Sequence, residues 1–285
     1  MHSAEATKTT RWAGELAAIA FFSYTAWLSV RHGMTGWRLA VAVCAPVAIL
    51  GAAYLETVYS RAWTRHARTW VLPAVVLGGY WQMGWFAAGH ARAVELEWVR
   101  WDRELLDGWG LRRLIEQGVP GLAWWLELSY LLLYSVPAAC LGVLYWNGER
   151  RRAGEYLAVF ALGTLAVYGM LPLVPVESPR TVFAGMDAPG VTSVWRTINV
   201  GILDRMDIAT SVFPSGHVAV AFSSALGMRR AMPEARGWFW FFLALAVSVF
   251  AATVYGRYHY AVDGLASIAV SLVAWSVLEA YDRMG

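Results

Sequence analysis

The chain has 285 residues, of which 58% are hydrophobic, only 15% are charged and 17 are tryptophan. A soluble domain carries about 25% charged residues, and the apolar residues here fall in blocks long enough to cross a bilayer, which argues against a soluble protein. The net charge is only +3, with arginines scattered through short connections, so nothing indicates a nucleic-acid partner.

Eight apolar runs predict transmembrane helices, because each is long enough, or nearly so, to cross about 30 Å of hydrocarbon. The runs cover residues 12–30, 37–58, 69–89, 120–146, 153–172, 214–230, 237–255 and 261–280. The sixth run is the shortest and is rich in small residues, which suits a helix packed inside a bundle. We therefore predict an all-α fold, a polytopic membrane helical bundle of about eight transmembrane helices.

The connections between these runs alternate in length and charge. Short, arginine-dense connections alternate with two long ones, 90–119 and 173–213, in which acidic residues offset the arginines. Arginine-rich short loops stay on the cytoplasmic side, so we predict that both termini are cytoplasmic and that the long connections lie outside. All but one of the basic residues are arginine. This bias suggests a bacterial genome, and hence an integral protein of the bacterial cytoplasmic membrane.

Two features of the outer half leave alternatives open. Residues 91–117 mix leucine, valine and tryptophan with charges of both signs. This pattern fits an amphipathic segment lying in the membrane interface, and equally an ordinary extracytoplasmic loop with a short helix. Glu127, inside the fourth run, either lines a cavity or is hydrogen-bonded within the bundle.

Three segments bring ionisable residues to the same predicted membrane face. The first, "LVPVESPR", ends at Arg180, and the second, "SVFPSGHVAVAF", contains His217. The third, "YGRYHYAVDG", contains Arg257, His259 and Asp263. Ionisable side chains at membrane depth are costly, so their convergence at one level indicates a functional site.

The spacing of His259 and Asp263 places an imidazole and a carboxylate one helical turn apart. A carboxylate in that position accepts one ring N–H and leaves the other nitrogen free as a nucleophile or base. This pair therefore predicts a reactive histidine.

The "PSGH" turn at the start of a helix favours an anion, because free backbone N–H groups and the helix dipole both point toward it. We expect Ser215 and Gly216 to contribute backbone amides, with Gly216 removing a side chain where the anion approaches. Arg180 and Arg257 supply forked donors that match phosphate oxygens. Together with His217, these residues predict a phosphate site that contains two histidines.

"PSGH" and "HYAVD" resemble the second and third signature motifs of the type 2 phosphatidic acid phosphatase superfamily, which comprises integral membrane lipid phosphatases and phosphotransferases. The resemblance implies that His259 attacks phosphorus to form a phosphohistidine and that Asp263 orients it. It also implies that His217 protonates the leaving group. No cofactor and no metal is expected.

The first motif departs from the superfamily pattern. Leu173 stands where the pattern has a lysine, the order Pro179-Arg180 is reversed, and Thr253 replaces an arginine of the third motif. "VESPR" and Thr253 are similar to the inositol phosphorylceramide synthase-like branch. The resemblance covers roughly residues 120–280.

From these features we predict a metal-independent enzyme that cleaves a phosphoester or diphosphate of a lipid at the extracytoplasmic face. Residues 69–285 would form a six-span catalytic core, containing the 91–117 segment, and residues 1–68 a two-span N-terminal extension. The alternatives are a phosphotransferase with an alcohol acceptor, a haem protein with His217 and His259 as axial ligands, and a lipid transporter without chemistry. The sequence does not identify the lipid.

Overall fold

The computed structural model describes residues 2–87, 89–208, 210 and 212–284, with side chains from residue 12 onward. This part of the chain is α-helical and contains no strand, which confirms the predicted fold class. In chain order the helices are α1 (His2–Arg31), α2 (Trp37–Tyr59), α3 (Ala62–Met83), α4 (Arg92–Arg103), α5 (Leu111–Gln117), α6 (Pro120–Leu132), α7 (Val136–Trp146), α8 (Ala153–Met170), α9 (Pro179–Val182), α10 (Val194–Met206), α11 (Gly216–Ala231), α12 (Arg236–Tyr255) and α13 (Ala261–Met284).

Six helical stretches within the described residues are long and apolar enough to cross a membrane. They are Trp12–Arg31, Trp37–Tyr59, Pro120–Trp146, Arg150–Leu173, Arg236–Tyr255 and Ala261–Met284. The third stretch joins α6 and α7 through a 3₁₀ turn, Leu133–Ser135, because Pro137 in the first turn of α7 cannot supply the N–H of a continuous helix. The protein is thus a membrane helical bundle, as its composition predicts.

The other two predicted spans, 69–89 and 214–230, correspond to α3 and α11, which are not among these six stretches. α3 begins and ends several residues earlier than the predicted run 69–89 and includes Arg65 and Arg68. α11 has 16 residues, about 24 Å of helix, which is shorter than the hydrocarbon layer. α11 is buried along nearly its whole length and packs against α8, α12 and α13. Its small residues therefore serve contact with neighbouring helices, as the sequence predicts.

α8 lies at the centre of the bundle and packs against α1, α3, α11 and α13. Close approach of α8 and α11 requires Gly227, because a Cβ there would lie 2.8 Å from the backbone oxygen of Tyr156. Phe22, Leu72 and Tyr156 belong to a single apolar cluster, so the first three helices share the core of the remaining bundle. The division into a two-span extension and a six-span core stays a prediction.

Both long connections fold into helices at one end of the bundle. Residues 91–117 form α4, a π-helical turn (Glu104–Gly108) and α5, while α9 and α10 lie within 173–213, where the sequence predicts only a loop. Asp102 of α4 and Arg196 of α10 contact residues 256–258, directly before α13. The long connections therefore cover the end of the bundle at which α12 ends and α13 begins.

A buried ion cluster joins α1, α2 and α3 at the opposite end. The guanidinium of Arg68 donates to Glu15 at 2.6 Å and to Glu56 at 3.2 Å, and it lies 4.5 Å from the ring centre of Trp12. The side chains of Arg68 and Glu15 are almost completely buried. The buried Glu15 carboxylate therefore depends on Arg68 for its charge compensation.

We expect Arg68→Leu to lower the free energy of unfolding by about 3 kcal/mol or more, because it leaves Glu15 buried without its cation. Thermal unfolding of purified protein in detergent measures this change. Arg65→Leu, on the exposed face of the same helix, is the control and should change stability by about 0.5 kcal/mol at most. Equal effects of the two substitutions would contradict a specific role for the cluster.

Candidate active site

The candidate site is assembled by the first residues of α11 and α13, which lie side by side. Ser215 caps α11, its Oγ accepting a hydrogen bond from the amide of Val218. The Ser215 amide donates to the carbonyl of Asp263 at 3.1 Å, and Ser267 Oγ donates to the carbonyl of Ser215 at 2.8 Å. Ser215, Asp263 and Ser267 are all completely buried, so the second and third motifs are joined in a fixed arrangement.

His217, His259 and Asp263 form a continuous row of side chains. Asp263 Oδ2 lies 3.3 Å from His259 Nδ1, and His259 Nε2 lies 3.4 Å from His217 Nδ1. The same Oδ2 accepts the amide of Tyr260 at 2.9 Å. His259 and Asp263 are buried, whereas His217 is partly exposed. The structure thus brings together the three residues that the sequence predicts to be catalytic.

The hydrogen-bond pattern assigns the tautomer of His259. An ionised carboxylate only accepts, so the proton of His259 is assigned to Nδ1, which faces Asp263. The lone pair then lies on Nε2, on the side of His217. His259 therefore presents its unprotonated Nε2 toward the second histidine.

Two tyrosines complete the surroundings of His217, and the sequence analysis did not identify either. Tyr130 Oη lies 3.2 Å and Tyr134 Oη 3.4 Å from His217 Nε2. Tyr130 is completely buried, whereas Tyr134 is 46% exposed. Their spacing of four residues within a predicted span was the available signal, since it places both hydroxyls on one face of a helix.

Arg180, the predicted phosphate ligand of the first motif, lies in α9 beside the third motif. Its amide donates to the carbonyl of Arg257 at 3.0 Å. Its guanidinium contacts Asp204 at 2.6 Å and Asp207 at 3.7 Å, and its side chain is 25% exposed. Asp204 is itself largely exposed. The Arg180–Asp204 pair is therefore open to exchange with an incoming anion.

Arg257, the second predicted phosphate ligand, is engaged by a carboxylate of α4. Its terminal nitrogens donate to both oxygens of Asp102 at 2.8 and 2.7 Å, and the whole residue is buried. The backbone of Arg257 has φ 63°, in the left-handed region that few residues other than glycine adopt. The side chain thus holds the loop before His259 against α4. A charge in the middle of the amphipathic segment 91–117 was the only sequence signal for Asp102.

A second carboxylate anchors residues 92–112 to the same end of the bundle. Asp187 is buried, accepts a hydrogen bond from Arg112 and forms an ion pair with Arg103 at 2.8 Å, while Arg257 lies 3.8 Å away. Arg112 also bonds Asp107 at 2.5 Å, and this hydrogen bond lowers the pKa of the exposed Asp107 carboxyl. The α4–α5 segment is therefore fixed to the site by several ion pairs.

Glu127 is hydrogen-bonded inside the bundle. Its carboxylate accepts from Arg196 at 2.8 Å, from Asn199 at 2.8 Å and from the hydroxyl of Tyr258 at 2.7 Å. The residue is 1% exposed. The sequence left open whether Glu127 lines a cavity or is hydrogen-bonded within the bundle, and this geometry is the second of the two. Because Tyr258 precedes His259, Glu127 is a second carboxylate, besides Asp102, that holds this loop.

An apolar cavity of about 840 Å³ leads to His217. The cavity is lined by α3, the α6–α7 junction, α10 and α11. Its lining includes Trp70, Ala74, Leu77, Tyr80, Leu132, Tyr134, Ile202, Asp207, Gly216, His217 and Val220. The polar groups concentrate at the end where His217 and Asp207 lie. His217 is the member of the histidine row that lines this cavity.

The "PSGH" backbone differs in detail from the predicted anion site. The Ser215 amide is already bonded to Asp263, and a Cβ on Gly216 would lie 2.9 Å from the ring of Tyr168. The missing side chain therefore makes room for a tyrosine. Among the described residues, the first-turn amides of Gly216 and His217 have no acceptor, which leaves these two for an anion.

Metal-binding side chains are not grouped in the described part of the chain: no set of three or more histidine, cysteine, aspartate or glutamate residues is placed to hold an ion. The acids near the histidine row are paired instead with arginines or with His259. Metal independence itself stays a prediction.

Comparison with known proteins supplies the family. The sequence model of the PAP2 superfamily matches residues 96–277, which include His217, His259, Asp263 and Arg180. Neither the curated proteins nor the solved structures contain a match to this chain. Since the matched segment spans more than half of the sequence and contains the whole histidine row, the chain belongs to the PAP2 superfamily.

Proposed function

We propose that this protein is a lipid phosphatase or phosphotransferase that cleaves a phosphoester or diphosphate through a phosphohistidine intermediate. Membership of the PAP2 superfamily supports a phosphatase-type activity. The observation that carries the mechanism is the row Asp263–His259–His217, with contacts of 3.3 and 3.4 Å. One histidine is oriented as a nucleophile, and the other faces the atom that would react.

In the first step, His259 Nε2 attacks phosphorus, and the bond from phosphorus to the leaving oxygen breaks. Asp263 keeps the proton of His259 on Nδ1 and stabilises the positive charge that develops on the ring. His217 transfers its Nδ1 proton to the leaving oxygen. In the second step, water attacks the phosphohistidine, His217 takes the water proton, and inorganic phosphate leaves with His259 restored.

Positive charge for the phosphoryl oxygens comes from Arg180 and from the free amides of Gly216 and His217. Arg180 would exchange the exposed Asp204 for the phosphate. Arg257 supports the site by holding the loop before His259. A direct phosphate contact by Arg257 stays a prediction, and it requires release from Asp102.

The apolar cavity supports a lipid substrate. One of its walls is α3, which lies outside the segment matched by the family, so this helix would shape the space for the hydrocarbon chain. The two long connections lie at the site end, and the arginine-dense short loops precede α3, α8 and α12 at the other end. Under the positive-inside rule, the site faces the extracytoplasmic side of a bacterial cytoplasmic membrane.

Transfer to an alcohol acceptor is the second candidate, because the first motif and Thr253 are similar to the inositol phosphorylceramide synthase-like branch. Haem ligation is disfavoured because His217 and His259 are engaged with each other and with Asp263. A transporter would bind lipid phosphate without turnover.

We expect wild-type protein in detergent to release inorganic phosphate from a lipid phosphate without any added alcohol. The same reaction repeated with inositol or a diacylglycerol acceptor would show a phosphorylated acceptor only if transfer operates. Transfer product with no free phosphate in the acceptor-free reaction would overturn hydrolysis in favour of the phosphotransferase.

Substitution of the histidine row should abolish turnover while the protein remains folded. We expect His259→Ala, His217→Ala and Asp263→Asn each to lower kcat by roughly 100-fold or more, because each removes the nucleophile, the acid or the orienting group. Phosphate release measures kcat, and an alkaline quench with radiolabelled substrate detects the acid-labile phosphohistidine in wild type.

His32→Ala, an exposed histidine near the end of α1, is the matched control and should retain full activity. Vanadate should inhibit the wild-type enzyme, and a chelator should have little effect. Full activity of a folded His259→Ala variant, or a strict magnesium requirement, would refute the mechanism.

Narrowing the cavity should lower activity toward lipid phosphates that have long hydrocarbon chains. Ala74→Trp places an indole in the cavity wall, so we expect kcat/KM for a long-chain lipid phosphate to fall by roughly tenfold or more, with little change for a short-chain phosphate. Ala67→Trp, on the same face of α3 but outside the cavity, is the control. Equal losses for short and long chains in Ala74→Trp would count against a chain-binding cavity.

A further inference from the structure

The two nitrogens of His217 face different partners. Nδ1 lies on the side of His259, where the phosphate would react, and Nε2 faces the hydroxyls of Tyr130 and Tyr134 at 3.2 and 3.4 Å. The mechanism above uses only Nδ1. The tyrosine hydroxyls therefore lie next to Nε2, the nitrogen to which the mechanism assigns no role.

The directions of the hydrogen bonds along the histidine row follow from the Asp263 carboxylate, which only accepts. Asp263 accepts from His259 Nδ1, so His259 Nε2 accepts from His217 Nδ1, which must carry the proton of a neutral imidazole. His217 Nε2 is then an acceptor, and a tyrosine hydroxyl donates to it. This assignment gives one consistent chain of hydrogen bonds from a tyrosine hydroxyl to Asp263, with both histidines uncharged.

The proton balance of the first step requires a proton donor to His217 Nε2. A neutral imidazole that loses its Nδ1 proton becomes an imidazolate unless Nε2 receives a proton at the same time. Tyr130 and Tyr134 are the hydroxyls within hydrogen-bond reach of that nitrogen. Tyr134 is 46% exposed and lines the cavity, whereas Tyr130 is completely buried.

From this geometry we infer that Tyr130 and Tyr134 are positioning residues for His217, which hold its tautomer and exchange its Nε2 proton. In the first step, a tyrosine proton moves to Nε2 as the Nδ1 proton moves to the leaving oxygen. In the second step, Nδ1 takes a proton from the attacking water and the Nε2 proton returns to the tyrosine. The inference rests on the proposed function for its chemical step, and the tautomer rests on the geometry alone.

Other polar groups around His217 do not offer this proton. The titratable side chains that face it or its ring partners are Tyr80 from α3, Tyr130 and Tyr134, Tyr168 from α8, Asp207 after α10, Tyr258 and His259 before α13, and Asp263. Tyr80 donates to Asp207 at 2.6 Å, and Tyr258 donates to Glu127 at 2.7 Å. Their hydroxyl protons are therefore committed elsewhere.

The dependence of the reaction rate on the leaving group distinguishes loss of a proton donor from a packing defect. An alkyl leaving oxygen requires protonation, whereas the oxygen of a nitrophenyl phosphate leaves without it. We expect Tyr130→Phe/Tyr134→Phe to lower the single-turnover rate of phosphohistidine formation from an alkyl lipid phosphate by roughly 100-fold, as general acid catalysis supplies that much. The burst rate of nitrophenol release from nitrophenyl phosphate, which reports the same first step, should fall by about threefold at most. His217→Ala should show the same selectivity.

Tyr255→Phe is the matched control, because the ring of Tyr255 is buried and its hydroxyl has no partner among the described residues. Both substrates should be turned over normally by this variant. Equal losses for the two substrates in the double variant, or no loss for either, would overturn the inference while the histidine row keeps its role.

A second measurement is independent of turnover. In protein labelled with ¹⁵N-histidine, with His217 assigned by comparison with His217→Ala, we expect wild type to show a protonated Nδ1 and a bare Nε2. The double phenylalanine variant should shift the proton toward Nε2. A wild-type His217 with its proton on Nε2 would refute the inference, and absence of phosphate release in wild type would refute the proposed function instead.

Discussion

Two buried carboxylates hold the loop between α12 and α13, and the position of His259 depends on them. Arg257 bonds both oxygens of Asp102, and Tyr258 donates to Glu127. Asp102 is almost completely buried, so loss of Arg257 would leave its charge uncompensated, whereas loss of the Tyr258 hydroxyl would leave the Glu127–Arg196 pair with one donor fewer. Breaking either contact is therefore costly, and His259 follows directly from the loop.

This arrangement explains why the long connections of the chain are folded. Asp102 belongs to α4, and Glu127 is itself bonded by Arg196 of α10, so both connections support the same loop from outside the apolar bundle. The motif residues form the histidine row, whereas residues far from the motifs fix its position. Within a bundle of apolar helices, such directed contacts specify a single geometry that hydrophobic packing alone does not.

The sequence predicts the parts of this structure that depend on local spacing. Apolar runs identify the long spans, and the separation of His259 and Asp263 identifies the pair, because helical periodicity determines both. Contacts between distant segments leave no such pattern. The pairing of Asp102 with Arg257, the hydroxyl of Tyr130 at His217 and the helix α10 arise from tertiary packing, so spacing within one segment does not reveal them.

The 3.4 Å contact between the histidines also determines how a phosphate enters. A phosphorus atom in line between nucleophile and acid separates their nitrogens by about 6 Å, so one ring must withdraw. His259 is buried and bonded to Asp263 on a loop held by two carboxylates, whereas His217 is partly exposed and lines the cavity. Under the proposed mechanism, His217 is therefore the ring that we expect to turn, and Tyr134 lines the same cavity.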